Sequence, residues 1–327
     1  MKAIIYEKYG SPDVLHLKET TKPAPGENDV LVQIKASSIN SRDWRLLRAN
    51  PFFVRFMGQG LLKPRSPILG ADIAGQVEAV GGGVSQFQPG DEVYGFLSVE
   101  FGGAYAEYAC APQSILAPKP ANLSFGEAAA VPLAALTALQ GLRNYGEIES
   151  GSRVLIQGAS GGVGTFAVQI AKALGADVTA VCSTRNMEMV DALGADRVID
   201  YKKEDITRSG QQFDLIFAVN GYHPLAGYLR ILAPEGTYVV AGGSMRQLFE
   251  AMRRRRSNSE NGGRNVYVVD LKQSQEDLLF LKDLLGSGAV APVIDAVYPL
   301  SDTAEAFRTY EEEHARGKIV ITMNGEA

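Results

Sequence analysis

The chain has 327 residues, of which 46% are hydrophobic and 21% are charged, and its formal net charge is −5. This length predicts two domains, because a single hydrophobic core stops growing at about 250–300 residues. The charge balance does not favour a nucleic-acid partner. The longest apolar segments are short or interrupted by proline, so we expect no transmembrane helix, which needs about 20 apolar residues.

The chain enters a β-like run at residues 3–6 without the basic start, apolar stretch and cleavage site of a signal peptide. We therefore expect a cytoplasmic protein. Cys110 and Cys182 are the only cysteines, and each lies in an apolar run. Buried free thiols are expected rather than a disulfide.

The first third of the chain is predicted to be rich in β-strands. Runs of alternating or β-branched residues are separated by Gly and Pro clusters. The runs cover residues 3–6, 14–17, 30–36, 73–80, 92–96 and 105–109, and residues 50–67 are expected to form a loop with a helical turn. Short strands separated by Gly and Pro clusters predict a barrel-like β domain.

A capping-box pattern marks the start of the second domain. Ser124 is followed three residues later by Glu127, directly before the apolar segment 128–142, which predicts a helix start. Strands and helices then alternate. The strands are predicted at 153–156, 177–182, 197–200, 213–219, 237–241 and 266–269, and the helices at 165–174, 187–193, 225–232, 244–256 and 275–285. This alternation predicts an α/β fold with a doubly wound parallel sheet.

The end of the chain has a different pattern. Predicted strands at 292–298 and 318–322 flank a predicted helix at 302–314. Because no long linker precedes them, we expect these residues to return to the first domain. The predicted domains are therefore 1–123 with 292–327, and 124–291.

A glycine-rich turn joins the first strand of the second domain to its helix. The G-x-G-x-x-G spacing falls on positions 159, 161 and 164, with Ala159 in place of the first glycine. Such a turn presents backbone N–H groups and the positive end of a helix dipole to a pyrophosphate. A tight turn without a ligand is the alternative that this string alone leaves open.

The end of the second strand indicates which dinucleotide is bound. NAD sites place an Asp or Glu there, on the ribose 2′-hydroxyl, whereas this chain continues with Ser183, Thr184 and Arg185. Hydroxyl groups and a guanidinium suit a 2′-phosphate, so we expect NADPH. Tyr201, after the third strand, could close over the same phosphate. The alternatives are a solvated Arg185 and a packing role for Tyr201.

Short motifs follow one another along the whole chain. They are NSRD at 40–43, LGADIAGQV at 69–77, PGDEV at 89–93, GAYAEY at 103–108, LTA at 136–138, the turn at 158–164, LGAD at 193–196, VIDY at 198–201 and HARGK at 314–318. In this order they resemble the medium-chain dehydrogenase/reductase superfamily, and within it the zinc-free quinone oxidoreductase (zeta-crystallin-like) branch. The resemblance implies a Rossmann domain, a GroES-like β-barrel-type domain and a homodimer formed through the sheet edge near 266–269.

The same motifs indicate whether the chain has a zinc site. Where the zinc alcohol dehydrogenases of the superfamily have a zinc-binding Cys and a His-Glu pair, this chain has Asn40, then Ala71 and Asp72. The four-cysteine lobe of the structural zinc is also missing. With three histidines scattered in sequence, we expect no zinc site.

Without a Lewis acid, quinones and α,β-unsaturated carbonyls (enones) are the favoured hydride acceptors, because delocalised negative charge can be stabilised by hydrogen bonds alone. The resemblance implies that the acceptor lies in the cleft between the domains. It places Asn40 near the nicotinamide, as a donor to the acceptor oxygen, with Asp43 and Asp72 lining or supporting the pocket. A turn-forming Asn and a helix-capping Asp are the plainer interpretations. Two other functions stay open: an alcohol dehydrogenase-like oxidoreductase with another substrate, and a non-enzymatic, crystallin-like NADPH-binding protein.

The resemblance also implies a set of cofactor-binding residues. They are Thr137 near the carboxamide or ribose; Gly158, Ala159, Ser160, Gly161, Gly162 and Val163 on the pyrophosphate; Ser183, Arg185 and Tyr201 at the adenosine phosphate; Asn220, Gly242 and Gly243 after later strands; and Lys318 from the C-terminal segment.

The predicted helix at 244–256 carries an unusual pattern. Met245, Leu248, Phe249 and Met252 fall on one helical face, and four arginines follow at 253–256. A core-facing helix with a solvated end is the usual interpretation. Contact with an anionic membrane surface is the alternative hypothesis.

Overall fold

A computed structural model describes residues 1–52, 55, 60–98, 103–221, 223–243, 245–254, 263–313 and 315–323. The chain divides into two compact units. The first unit comprises Met1–Leu133, Gln273–Gly286 and Pro292–Ala327, and the second comprises Ala134–Lys272 and Ser287–Ala291.

The secondary structure alternates as the sequence predicts. In chain order, the elements are β1 (Lys2–Ile5), β2 (His16–Glu19), β3 (Asp29–Ser38), α1 (Ser41–Arg48), β4 (Asp72–Val80), β5 (Glu92–Phe96), β6 (Tyr108–Pro112), β7 (Leu116–Pro118), α2 (Phe125–Ala129), α3 (Pro132–Leu139), β8 (Arg153–Gln157), α4 (Gly162–Ala173), β9 (Asp177–Cys182), α5 (Met187–Ala192), β10 (Arg197–Asp200), β11 (Phe213–Ala218), α6 (Leu225–Arg230), β12 (Leu232–Val240), α7 (Met245–Arg254), β13 (Asn265–Val268), α8 (Gln275–Gly286), β14 (Ile294–Pro299), α9 (Thr303–Glu313) and β15 (Lys318–Thr322).

The first unit is built on a seven-stranded sheet with the order β14-β15-β3-β4-β5-β7, in which β6 also pairs with β3. The β14–β15 pair is parallel and the other pairs are antiparallel. Along β3, Val30, Val32 and Ile34 are buried in one hydrophobic cluster, as the two-residue period of a strand requires. Strand β3 pairs with β15, β4 and β6. Two of these neighbours, β15 and β4, contribute residues to the candidate site described below.

The second unit contains a six-stranded parallel sheet with the order β10-β9-β8-β11-β12-β13. The chain moves outward from β8 to β10 and then returns to the other side of β8 at β11. The predicted doubly wound parallel sheet is thus confirmed. The reversal between β8 and β11 is a topological switch point, where sheets of this kind bind ligands beyond the carboxyl ends of their strands.

Several local predictions need correction. The predicted strand at 14–17 begins only at His16, because Pro12–Val14 form a 3₁₀ turn. The capping box at Ser124 is present, with both reciprocal hydrogen bonds. The helix that it begins is nevertheless short, since a second helix starts at Pro132 and a π-helical turn follows at Gln140–Tyr145. Proline lacks the N–H that a continuous helix would use there. Residues 53, 54 and 56–59 of the predicted loop lie outside the described residues.

The observed units differ from the predicted domains at two segments. The residues of α2 and of α8 lie in the first unit, although both were predicted to belong to the second domain. Three hydrogen bonds attach α8 there: Tyr94 Oη donates to Leu278 O over 2.6 Å, Gln275 Nε2 to Leu116 O over 2.6 Å, and Asn122 Nδ2 to Leu285 O over 3.0 Å. Helix α8 continues the alternation of strands and helices, so the sequence pattern does not show that it packs on the first unit.

Helix α7 departs from the expected core-facing stripe. Gln247 and Ala251 are buried and Leu248 packs on the core of the second unit, whereas Phe249 is 59% exposed and Met252 is 50% exposed. Residues 244, 255 and 256 of the predicted helix lie outside the described residues. Across the described ranges, no helix is both long enough and apolar enough to cross a membrane.

Candidate active site

Three neighbouring strands of the first unit bring Asn40, Asp72 and Lys318 together. Strand β15 pairs with β3 in the register Val320 to Ser38, and extending that antiparallel register by two residues sets Lys318 opposite Asn40. Asp72 opens β4 on the other side of β3, where its backbone carbonyl accepts a hydrogen bond from Ser37 Oγ over 2.7 Å. The sheet therefore joins residues that are 32 and 278 positions apart in the chain.

These three side chains form a buried polar cluster. Lys318 Nζ donates to Asn40 Oδ1 over 2.5 Å and lies 3.3 Å from Asp72 Oδ2. Asn40 Nδ2 donates to Asp72 Oδ2 over 2.8 Å, and Ser38 Oγ donates to the same oxygen over 2.6 Å. The second carboxylate oxygen, Oδ1, accepts from the backbone N–H of Leu133 over 2.8 Å. The side chain of Lys318 is 2% exposed and that of Asp72 is 0% exposed, so the ion pair is compensated inside the protein, as a buried charge requires.

Asp43 extends the cluster at the start of α1. Its Oδ2 accepts from the backbone N–H of Asn40 over 3.0 Å and from Tyr105 Oη over 3.1 Å. Burial raises the pKa of Asp43 to about 6, and burial together with the neighbouring Asp43 carboxylate raises the pKa of Tyr105 well above its usual range. Asn40 is the N-cap residue of α1, and Asp43 is thus both the N3 residue of its capping box and a titratable group next to Asn40.

The glycine-rich turn of the second unit lies between β8 and α4, at the switch point of the sheet. The left-handed backbone conformation occurs at Gly158, with φ +83°. Ala159 is buried and its N–H donates to Val181 O over 3.0 Å. Position 159, where the motif has its first glycine, therefore accommodates the Cβ of alanine. A Cβ at Gly164 would lie 2.1 Å from Gly158 O, whereas one at Gly161 would have no neighbour nearer than 3.8 Å.

This turn has the features of an anion cradle. Gly161 caps α4 without a side chain, and the first turn of an α-helix leaves its N–H groups without intrahelical acceptors. The open space at Gly161 adjoins those groups. Helix dipole and N–H groups together favour a phosphate there. The predicted pyrophosphate residues, Gly158, Ala159, Ser160, Gly161, Gly162 and Val163, all lie in this turn or in the first turn of α4.

The residues predicted for the adenosine phosphate follow β9 and β10, which are adjacent parallel strands. Ser183 is buried at the start of a 3₁₀ turn, and Arg185 is exposed. Thr184 Oγ1 donates to Asp200 Oδ2 over 2.5 Å, which holds the pKa of Asp200 below its usual range and ties the two loops together. Tyr201 is half-buried against the hydrophobic core.

The remaining predicted cofactor residues lie in three places. Asn220, Gly242 and Gly243 follow β11 and β12, so they lie at the same edge of the sheet as the turn, and a Cβ at Gly158 would approach Asn220 N to 3.1 Å. Thr137 is buried within α3. Lys318 belongs to the first unit, in the cluster with Asn40 and Asp72.

Sequence reasoning missed several residues. Ser38 and Tyr105 bind the two aspartates, but a buried serine and tyrosine in apolar runs give no signal of that role. In the second unit, Asn186 Nδ2 donates to Ser160 Oγ over 2.9 Å. Gln157 Oε1 and Asn186 Oδ1 are buried acceptors without a hydrogen-bond partner in the described chain, and they fit a ligand that carries hydroxyl or amino donors. The Gly158–Gly164 turn and these acceptors thus fit a dinucleotide.

Comparison with known proteins identifies the family. The model for the alcohol dehydrogenase GroES-like domain matches residues 26–121, and the model for zinc-binding dehydrogenases matches residues 193–321. The chloroplast envelope quinone oxidoreductase homolog of Arabidopsis thaliana is 33% identical over 337 residues, which cover 98% of each chain. The chain belongs to the medium-chain dehydrogenase/reductase superfamily.

Two further relatives agree with this assignment. The NADPH-dependent alkenal/one oxidoreductase, chloroplastic, of Arabidopsis thaliana is 33% identical over 334 residues, covering 98% of this chain and 79% of that protein. The structure of the quinone oxidoreductase from Coxiella burnetii superposes with a TM-score of 0.88 at 30% identity and covers 99% of each chain. The predicted family and the predicted combination of a Rossmann sheet with a GroES-like domain are confirmed. The protein is an oxidoreductase that uses a nicotinamide cofactor.

Proposed function

We propose that this protein is a zinc-independent, NADPH-dependent reductase of quinones or α,β-unsaturated carbonyls. The observation that carries the proposal is the buried Asn40–Asp72–Lys318 cluster. Asn40 and Asp72 stand at positions that resemble metal ligands of the zinc enzymes of the superfamily, and the ammonium group of Lys318 contacts both. The names of the Arabidopsis and Coxiella relatives support the same acceptor class.

The residues present do not fit zinc. In the resembling positions, Asn40 and Asp72 already bind an ammonium group, with Lys318 Nζ at 2.5 Å from Asn40 Oδ1 and 3.3 Å from Asp72 Oδ2. A divalent cation at this place would meet the charge of Lys318. Among the described residues, no group of three His, Cys, Asp or Glu side chains is arranged to hold a metal ion. We therefore propose that the acceptor oxygen is stabilised by hydrogen bonds rather than by a Lewis acid.

The second unit supports NADPH as the cofactor. NADPH, when bound, supplies a hydride from C4 of its nicotinamide ring. The turn from Gly158 to Gly164 would hold the pyrophosphate, and Ser183 and Arg185 would bind the 2′-phosphate, which a guanidinium binds well. The absence of a carboxylate directly after β9 favours NADPH over NADH. Thr137, Tyr201, Asn220, Gly242 and Gly243 complete the proposed cofactor site.

In the first unit, we assign the acceptor oxygen to Asn40. Of the two amide hydrogens of Asn40, one is bound to Asp72 at 2.8 Å, while the other has, among the described residues, only a long contact of 3.4 Å to Ser38 O. Exchanging that long contact for the acceptor oxygen costs little, because hydrogen bonds of this length are weak. Asp43 holds the backbone of Asn40 and the start of α1 in place, and Asp72 holds the amide.

A direct assay tests the proposal. NADPH oxidation is followed with a benzoquinone, a naphthoquinone and several alkenals and enones, with and without a chelator. We expect turnover with members of this panel that the chelator does not reduce. Loss of activity on chelation would exclude the zinc-independent mechanism. Turnover only in the reverse direction, with NADP⁺ and saturated alcohols, would instead support an alcohol dehydrogenase-like enzyme, and tight NADPH binding without any turnover would support a crystallin-like protein.

A homodimer and a cytoplasmic location remain predictions. Strand β13 is one of the two edge strands of the parallel sheet, and an edge strand offers unpaired N–H and C=O groups to a second copy. Light scattering after size exclusion tests the dimer. Val268→Pro, which removes a backbone donor that points away from β12, should yield a monomer. Cell fractionation tests the location.

A further inference from the structure

Lys318 is held rigidly at the start of β15. Gly317, directly before it, has φ +83°, and a Cβ there would lie 2.2 Å from Val293 O. The backbone N–H of Lys318 donates to Val293 O over 2.8 Å. The side chain then runs inward to Asn40 and Asp72 and is buried. A long, flexible side chain is thus fixed at its base and at its charged end.

The chemistry of the partners allows only one orientation of the Asn40 amide. An ammonium group is purely a donor, so the amide atom facing Lys318 must be the oxygen. The ionised carboxylate of Asp72 is purely an acceptor, so the atom facing it must be the nitrogen. Rotating the amide by half a turn would set N–H against ammonium and C=O against carboxylate. Both contacts would be repulsive and buried.

This orientation decides what Asn40 can offer to a substrate. With the oxygen fixed by Lys318 and one N–H fixed by Asp72, only the second N–H, at 3.4 Å from Ser38 O, can be exchanged. We infer that Lys318 is a positioning residue which, balanced by Asp72, aims the second amide N–H of Asn40 at the acceptor oxygen. The inference rests on the proposed function, and it differs from the predicted role of Lys318 in cofactor binding.

The test uses Lys318→Met, Asn40→Ala and the double variant Asn40→Ala/Lys318→Met, measured with NADPH and the best acceptor. We expect Lys318→Met to lower kcat by about 100-fold, as misplacement of a reacting group does, with an unchanged Kd for NADPH by fluorescence titration. Because Lys318 acts through Asn40, adding Lys318→Met to Asn40→Ala should cause no further loss of kcat. Losses that multiply in the double variant would overturn the inference.

A second pair of variants separates positioning from charge balance. Lys318→Met leaves the Asp72 carboxylate buried without its cation, which lowers stability. Asp72→Asn/Lys318→Met removes both charges and should restore the thermal midpoint while kcat stays low. If that double variant regains wild-type kcat, Lys318 serves only to neutralise Asp72 and the inference is wrong. A raised Kd for NADPH in Lys318→Met, with kcat retained at saturation, would also overturn it and support a cofactor contact.

Lys119 supplies a matched control. Its side chain is also buried, at 5% exposure, and its Nζ lies 3.2 Å from Glu92 Oε2 in the same unit and donates to Pro120 O and Leu123 O, none of which belongs to the cluster. Lys119→Met should lower stability and leave kcat unchanged. Wild-type protein that reduces none of the acceptors would refute the proposed function itself, whereas the pattern among the variants refutes only the inference.

Discussion

Two glycines of the same turn should differ in how an added methyl group affects the stability of the protein. At Gly164, a Cβ would lie 2.1 Å from Gly158 O and 2.8 Å from two further backbone atoms of Ala159. Backbone atoms cannot rotate away, so Gly164→Ala must displace the turn or the start of α4. Overpacking of this kind costs about 1–3 kcal/mol. We expect Gly164→Ala to lower stability by that amount and to weaken NADPH binding as a consequence.

At Gly161, the same methyl group would have no neighbour nearer than 3.8 Å. The backbone there has φ −86°, which alanine adopts without strain. Gly→Ala stabilises the protein by about 0.5 kcal/mol because it lowers the conformational entropy of the unfolded chain. Alanine is a poorer N-cap residue than glycine by a similar amount, so the two effects on stability nearly cancel. The methyl group would nevertheless occupy the open space beside the helix N-terminus. We expect unchanged stability and at least about tenfold weaker NADPH binding, or about 1.4 kcal/mol.

The assay is unfolding of the cofactor-free protein together with fluorescence titration of NADPH. Gly82→Ala is the control, because a Cβ there meets nothing within 4 Å and the site lies outside the second unit. It should change neither quantity. Tight NADPH binding by Gly161→Ala would show that the pyrophosphate does not lie in this turn, and wild-type stability of Gly164→Ala would refute the steric argument.

Three further predictions follow from the charges and the exposed surface. Arg185→Ala should raise KM for NADPH about tenfold, the loss of one charge-assisted hydrogen bond, and leave KM for NADH unchanged; equal effects on both would rule out a 2′-phosphate contact. Because the folded-state pKa of Asp43 is raised to about 6, stability should fall as pH rises from about 4 to 6, and Asp43→Asn should flatten that slope in chemical unfolding; an unchanged slope would assign it to another group. If α7 contacts anionic membranes, Phe249→Glu should abolish flotation with phosphatidylglycerol vesicles at low salt, while no flotation of the wild type would end that hypothesis.

Local patterns were sufficient for most of the fold. The buried alternation along β3 and the βα alternation after residue 153 depend on near neighbours in the chain, and both appear in the structure. The glycine motif correctly predicted the turn between β8 and α4, but not which position in it requires glycine. The motif predicts a requirement for glycine at position 159, but the positive φ occurs at Gly158, so alanine at 159 is tolerated.

Most residues of the candidate site could be predicted from the sequence, but the contacts between them could not. Asn40, Asp43 and Asp72 stood out through their motifs, but Lys318 could not be assigned to them, since the pairing of β15 with β3 joins residues 278 positions apart. The predicted packing of helix α7 was wrong for a related reason. Its apolar stripe indicates one face of a helix, yet the face that packs is set by Gln247, whose Nε2 donates to His223 O over 3.0 Å.

The buried ion pair of Lys318 and Asp72 is itself an argument for function. Removing two charges from water costs several kcal/mol per ion, and replacing a buried pair by apolar residues of similar volume is often neutral or stabilising. Stability alone therefore does not explain why the sheet encloses this pair. The pair fixes the amide of Asn40, which an apolar replacement could not do, because orienting an amide requires a donor on one side and an acceptor on the other. The desolvation cost thus accompanies a fixed hydrogen-bond donor, which is the element that the proposed zinc-independent reductase needs at the acceptor oxygen.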